Sequence, residues 1–128
     1  MTREVISTPR APKPIVPLSQ AIRANGFVFV SGMVSRNSAT GKIEGSNIQE
    51  QTKLALENIQ AVLEAAGTSL KNSVRVTAFL RDRSDFGAFN ETYGKYFPES
   101  PPARAVIQAA DFMRPEILVE IELTAAMP

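Results

Sequence analysis

Arg104 is the residue whose type and setting could do chemistry. It lies in Ser100-Pro101-Pro102-Ala103-Arg104-Ala105-Val106-Ile107-Gln108. The two prolines there can neither continue a helix nor donate to a ladder, so they mark the entry to a strand. Alternation along that strand puts Arg104, Val106 and Gln108 on one face and Ala103, Ala105 and Ile107 on the other. A guanidinium inside an otherwise apolar strand needs a partner, and its planar fork of donors fits a carboxylate. That partner is either a structural glutamate at a strand edge or a small carboxylic acid. A second group of interest is Glu120 with Glu122, which share one face of Ile117-Leu118-Val119-Glu120-Ile121-Glu122-Leu123 among apolar neighbours. Half-buried carboxylates need a reason. Tyr93 and Tyr96 could in principle donate protons, but aromatic residues at helical spacing are more often core.

Composition limits the chemistry further. The chain has 128 residues, 44% hydrophobic and 21% charged, with a net charge of +1 and neither cysteine nor histidine. Such a length and balance suit one compact domain over residues 1–128. Without cysteine or histidine there is no thiolate nucleophile, no Ser-His-Asp triad and no common zinc site, so no metal is expected. Carboxylates, Arg, Lys, Tyr, hydroxyls, backbone groups and water remain, which favours an easy reaction. No run of like charge points to nucleic acid, and no span of about 18 apolar residues points to a membrane. A cytoplasmic protein is the expectation.

The elements that must position these groups follow from pattern. Arg3–Thr8 reads as an edge strand, and Ala11–Pro17, with three prolines in seven residues, as a stiff extended segment made to lie over a surface. Leu18–Arg23 is a second strand, Asn25-Gly26 a hairpin turn, and Phe27–Ser31 a third strand ending at Gly32. Residues 36–46 form a surface loop without the spacing of a phosphate-binding loop. Asn47 caps a helix to about Ala66, with Glu50 placed to return the hydrogen bond and Gly67 as the stop. Thr52, Ala55, Leu56, Ile59, Val62, Leu63 and Ala66 form its core stripe. Val74–Leu80 is a strand, Ser84 or Asp85 caps a helix from Phe86 to about Phe97, and Phe86, Phe89, Tyr93 and Phe97 share its inward face. The whole is two helices on one face of a mixed sheet. Ile117, Val119, Ile121 and Leu123 meet the helices, whereas Leu118, Val106 and alternate residues of Phe27–Ser31 point away. The uncovered apolar face predicts self-association as a closed symmetric ring with sites between subunits.

Ala11-Pro12 through Pro17, Ser31-Gly32, Gln51-Thr52 with Leu63-Glu64-Ala65-Ala66-Gly67, Asn90 with Tyr93, Pro102-Ala103-Arg104-Ala105 and Val119-Glu120-Ile121-Glu122 together resemble the Rid (reactive intermediate deaminase, or YjgF) family. The match runs over nearly the whole chain in order. The resemblance implies an α+β, chorismate-mutase-like subunit, with a six-stranded mixed sheet and two helices on one face, assembled as a homotrimer. It implies cofactor-independent hydrolysis of 2-enamine or 2-imino acids, such as 2-aminoacrylate, to 2-keto acids and ammonia. By the same resemblance, Arg104 grips the substrate carboxylate, Glu120 serves the attacking water, and the backbone at Val106 contacts the substrate nitrogen. Ser31, Gly32 and Asn90 line or support the cleft. This chain departs from the pattern in Val16-Pro17-Leu18, where Gly-Pro-Tyr is usual, in Val106, where cysteine is common, and in Met33, where glutamine is common. Leu18 and Met33 make the cleft more apolar, so a bulkier substrate such as an aminomuconate-type enamine is an alternative. Other relatives are described as ligand-binding, chaperone-like or translation-affecting, so a non-catalytic sensor of small carboxylates is another. Ribonuclease action finds little support, since there is no basic patch and no histidine.

Overall fold

The computed structural model describes residues 2–128. Six strands, β1 (Arg3–Ile6), β2 (Ala21–Ala24), β3 (Phe27–Met33), β4 (Ser73–Leu80), β5 (Ala103–Gln108) and β6 (Val119–Ala126), form one sheet in the order β1-β2-β3-β6-β4-β5. The β4–β5 pair is parallel and the other pairs are antiparallel. Helix α1 (Ile48–Ala66) lies between β3 and β4 in the chain, and α2 (Phe86–Tyr96) between β4 and β5. This is the expected α+β architecture. The crossover from β4 through α2 to β5 is what lets those two strands run parallel.

Local chemistry explains most of the boundaries. Asn25 and Gly26 both take positive φ (53° and 83°), the hairpin turn expected between β2 and β3. Asn47 accepts from the Glu50 N–H at 2.9 Å, but the Glu50 carboxylate takes the Ser46 hydroxyl instead of returning a bond to Asn47. Gly67, at φ 92°, ends α1 in the left-handed region. The whole predicted stripe of α1 is buried, together with Ile48, Gln51 and Ala61. It packs on β3, β6 and α2.

Four strands and the start of α2 differ from expectation. β1 stops at Ile6, because Thr8 is turned inward by Gln20, whose amide accepts the Thr8 N–H and donates to the carbonyls of Thr8, Ala11 and Pro12. That amide pins the start of the proline-rich segment, burying Ala11 while Ile15 and Val16 project outward. β2 starts at Ala21, since Leu18 closes a tight turn onto the Val16 carbonyl (2.7 Å). β3 continues to Met33 through a bulge between Val30 and Met33. β6 begins at Val119, two residues late, because Arg81 Nε takes the Ile117 carbonyl and Gln51 takes the Leu118 N–H. Nor do Ser84 or Asp85 cap α2: Asp82 accepts from the Ser84 N–H, capping a short 3-10 turn that feeds the helix, and Asp85 makes no side-chain cap.

Register fixes the two faces of the sheet. Val76, Ala78 and Leu80 are buried on the helix side, and Arg104, Val106 and Gln108 stand opposite them in β5, so these too face the helices. The expectation that Val106 points away from the helices is therefore overturned, and Val106 and Leu118 are both partly buried against the core. The other side carries Val5, Ile22, Phe29 and Thr124 in one row across β1, β2, β3 and β6, and Glu120, Phe79 and Ile107 in another. Phe29 and Ile107 are 48% and 49% exposed, so this face is apolar and uncovered in the single chain.

Candidate active site

Arg104 is held by rings. Its guanidinium carbon lies 4.9 Å from the ring centre of Tyr93 and 5.9 Å from those of Phe86 and Phe89. The three aromatic residues fall at helical spacing on α2, so one helix face supplies the whole cradle. Phe89 and Tyr93 are buried as expected, but Phe86, expected to be inward, is half exposed over the cation. Among the described residues Arg104 makes no ion pair, whereas Arg10, Arg23, Arg81 and Arg114 each do. Arg81 shows what a structural arginine looks like here: it bonds Asp111, Ile117 and Arg114 at 2.6 to 2.9 Å. A structural glutamate is not what holds Arg104. Cation–π contacts steady the guanidinium while leaving its in-plane donors available for an anion.

Two further polar groups on the same helix stripe lack partners. The Asn90 Oδ1 and the Tyr93 hydroxyl are buried without a hydrogen bond. Burial pushes the Tyr93 hydroxyl above its ordinary pKa, and the Arg104 cation, close by but outside hydrogen-bond geometry, offsets part of that. Leaving such groups unpaired costs about 1–3 kcal/mol each, a cost that a functional surface can carry. Beyond Val106 the strand opens on a depression of about 490 Å³ lined by Leu80, Asp82, Arg83, Ser84, Phe86, Val106 and Gln108.

Glu120 belongs to the opposite face of the sheet. Its carboxylate fills the space that a β-carbon on Gly32 would need, which is why the β3 bulge carries glycine at that point. Phe79 stands opposite it in β4; burial is the first cause raising its pKa and the charge of Glu122, two residues on, the second. Ser31, beside Gly32, donates its hydroxyl to the Ser19 carbonyl at 2.6 Å and so ties down the segment carrying Leu18, which is exposed.

The predicted site residues thus fall into two groups within one chain. Arg104, Val106 and Asn90 belong to the helix side; Glu120 meets Gly32 on the open side, with Ser31 next in the chain and Leu18 exposed in the segment that Ser31 ties down. Sequence alternation places each residue on a face of its own strand, but it says nothing about which faces of β5 and β6 coincide. Gln51 is a contributor whose role the sequence does not reveal. Its buried amide donates to Gly45 and Glu116 carbonyls and accepts from Leu118, setting where β6 begins and so where Glu120 stands. Helical periodicity does not mark it, since the stripe read from α1 leaves Gln51 out.

Residues 8–127 match the family model described as Endoribonuclease L-PSP. The chain is 46% identical over 125 residues to a RutC family protein of Pyrococcus abyssi, covering 98% of each. It is 42% identical over 123 residues to a 2-iminobutanoate/2-iminopropanoate deaminase of Mus musculus, covering 96% of this chain and 90% of that one. The crystal structure of E. coli TdcF with bound serine superposes with a TM-score of 0.89 at 33% identity, covering 98% of this chain and 99% of that one.

Proposed function

The chain belongs to the endoribonuclease L-PSP family, the YjgF/Rid family, and from that premise we propose that it is a single-domain, cofactor-independent deaminase of 2-enamine and 2-imino acids. Water adds to the electrophilic C2 of the iminium, its proton passing to Glu120. Glu120 returns that proton to the carbinolamine nitrogen and takes the hydroxyl proton as the C–N bond breaks, so a 2-keto acid forms and the ammonia leaves with that proton as ammonium. Arg104 grips the substrate carboxylate bidentately, the Val106 backbone meets the nitrogen, Asn90 supports the Arg104 side, and Leu18, Ser31 and Gly32 line the Glu120 side. An iminium carbon needs little activation, so positioning and general base help of about 10²-fold are sufficient chemistry for this residue set.

Arg104 and Glu120 lie on opposite faces of one sheet, so the reading requires a second copy: Arg104 of one subunit faces Glu120 of the next. A homotrimer closes this head-to-tail contact into a ring with three sites, and the apolar open face carrying Phe29 and Ile107 supplies the surface it would cover. The observation that carries the proposal is the cradled, ion-pair-less guanidinium of Arg104. The name of the mouse relative supports the same substrate class. Generating 2-iminobutanoate in situ with an amino-acid oxidase and following 2-oxobutanoate release tests it: acceleration over buffer is expected. A sensor reading is favoured by the serine held by TdcF, and ligand binding without acceleration would establish it instead. The family's ribonuclease name finds no matching chemistry in a chain with a net charge of +1 and no histidine.

A further inference from the structure

Of the rings of Phe86, Phe89 and Tyr93 on α2 and Phe97 just after it, only Tyr93 carries a polar atom. Its ring packs 5.4 Å from that of Phe89 and 4.5 Å from that of Phe97, contacts that a phenyl ring would make equally well. Tyr93 is 5% exposed, and its hydroxyl, buried without a hydrogen bond, belongs to no step of the reaction above. A buried hydroxyl without a partner is worse for the fold than no hydroxyl at all. Packing therefore explains the ring and leaves the oxygen unexplained.

The neighbours offer a partner on each side. The Arg104 guanidinium carbon stands 4.9 Å from the centre of the Tyr93 ring. Asn90, three residues back on the same helix stripe, has a buried Oδ1 that also lacks a partner. The three groups differ in polarity: a guanidinium only donates, an amide oxygen only accepts, and a phenol does both. One order alone suits all three, from an Arg104 N–H to the Tyr93 oxygen and from the Tyr93 O–H to Asn90 Oδ1. Burial raises the Tyr93 pKa more than the Arg104 cation lowers it, so the phenol keeps the proton that this order requires. Cation–π contacts hold the guanidinium near the rings but fix poorly which way its fork is turned, whereas a hydrogen bond is directional.

We propose that Tyr93 is a positioning residue: when a carboxylate takes one edge of the Arg104 fork, the Tyr93 hydroxyl accepts from the guanidinium and donates to Asn90, locking the fork in the orientation the ligand needs. This rests on the reading above in so far as it takes Arg104 as the carboxylate anchor. The buried hydroxyl need not touch the ligand. The grip it stiffens is the same for substrate and transition state, so KM rather than kcat carries its effect.

Titration calorimetry of the assembled protein with 2-oxobutanoate, beside turnover of 2-iminobutanoate, tests this in the natural chain, Tyr93→Phe, Arg104→Lys and the double variant. Tyr93→Phe should bind the keto acid about five- to tenfold more weakly, the share of one hydrogen bond to a charged group. KM should rise by the same factor while kcat stays within about twofold. The melting temperature of Tyr93→Phe without keto acid should equal or exceed that of the natural chain, since an unpaired hydroxyl has gone. In the Arg104→Lys background the same change should alter kcat/KM by less than about twofold, because no fork is left to orient. Unchanged affinity, a loss carried by kcat alone, a lower melting temperature, or an equal loss in the lysine background overturns the role of Tyr93 and leaves the deaminase reading standing. Should the keto acid bind without turnover of the imine, the deaminase reading falls and the affinity of Tyr93→Phe still decides this one; should the natural chain neither bind nor turn over, both fall.

Discussion

Replacing Arg104 separates a binding cation from a structural one. Among the described residues the guanidinium has three ring contacts and no ion pair with a carboxylate. Arg104→Met keeps an apolar side chain over Phe86, Phe89 and Tyr93 while losing the charge. The lost cation–π attraction is worth about 0.5–1 kcal/mol at an exposed site and about 2 when desolvated. Part of that returns as contact between the methionine thioether and the rings, so folding stability should fall by no more than about 2 kcal/mol. Ligand binding should respond very differently. Two charge-assisted hydrogen bonds to a substrate carboxylate are worth about 1.5–3 kcal/mol each, so kcat/KM should fall by about 10²- to 10⁴-fold. Arg104→Lys keeps a point charge without the fork and should lie between the two. Urea unfolding gives the first number and keto-acid release from 2-iminobutanoate the second. A variant that loses 4 kcal/mol or more of stability, on the scale of about 3–5 kcal/mol seen when a buried ion pair is broken, would make the arginine structural; near-normal turnover by the methionine variant would remove it from the site.

Glu120, opposite Phe79, has a pKa raised first by burial and then by the charge of Glu122, so the acid limb of kcat/KM should lie above that of an ordinary glutamate and Glu120→Gln should abolish turnover. The same raised value means that protonated Glu120 favours the fold. Its contribution is complete below the unfolded carboxylate pKa and is lost as pH rises through the folded one, so Glu120→Gln should raise the melting temperature at pH 7 but not at about pH 3.5; an unchanged melting temperature at both would deny the desolvation. Gly32→Ala would drive a β-carbon onto the Glu120 carboxylate and should lower kcat by about 10²-fold with the fold intact, and a fully active alanine variant would mean that this carboxylate position is not needed. Phe29→Glu places a charge in the middle of the open apolar face, so light scattering should find a monomer without deaminase activity; an unchanged assembly would put the interface elsewhere.

The sequence by itself determined what each strand and helix is made of. Alternation in Ala103–Gln108 and Val119–Leu123 put Arg104 with Val106 and Glu120 with Glu122, and the α1 stripe with its Asn47 and Gly67 ends came out as read. These signals are local, since side-chain period and capping act over a few residues. The tertiary structure alone decided how those faces combine. Strand order set β5 beside β4, and register then turned Arg104 and Val106 toward the helices while Glu120 looked the other way. The buried amide of Gln20 holds Thr8, Ala11 and Pro12 and so ends β1, and that of Gln51 takes the Leu118 N–H and so fixes where β6 begins. No periodicity encodes a hydrogen bond between residues 67 positions apart. The aromatic cradle likewise exists only because the crossover lays α2 across β5, bringing rings at residues 86 to 93 over a cation at residue 104.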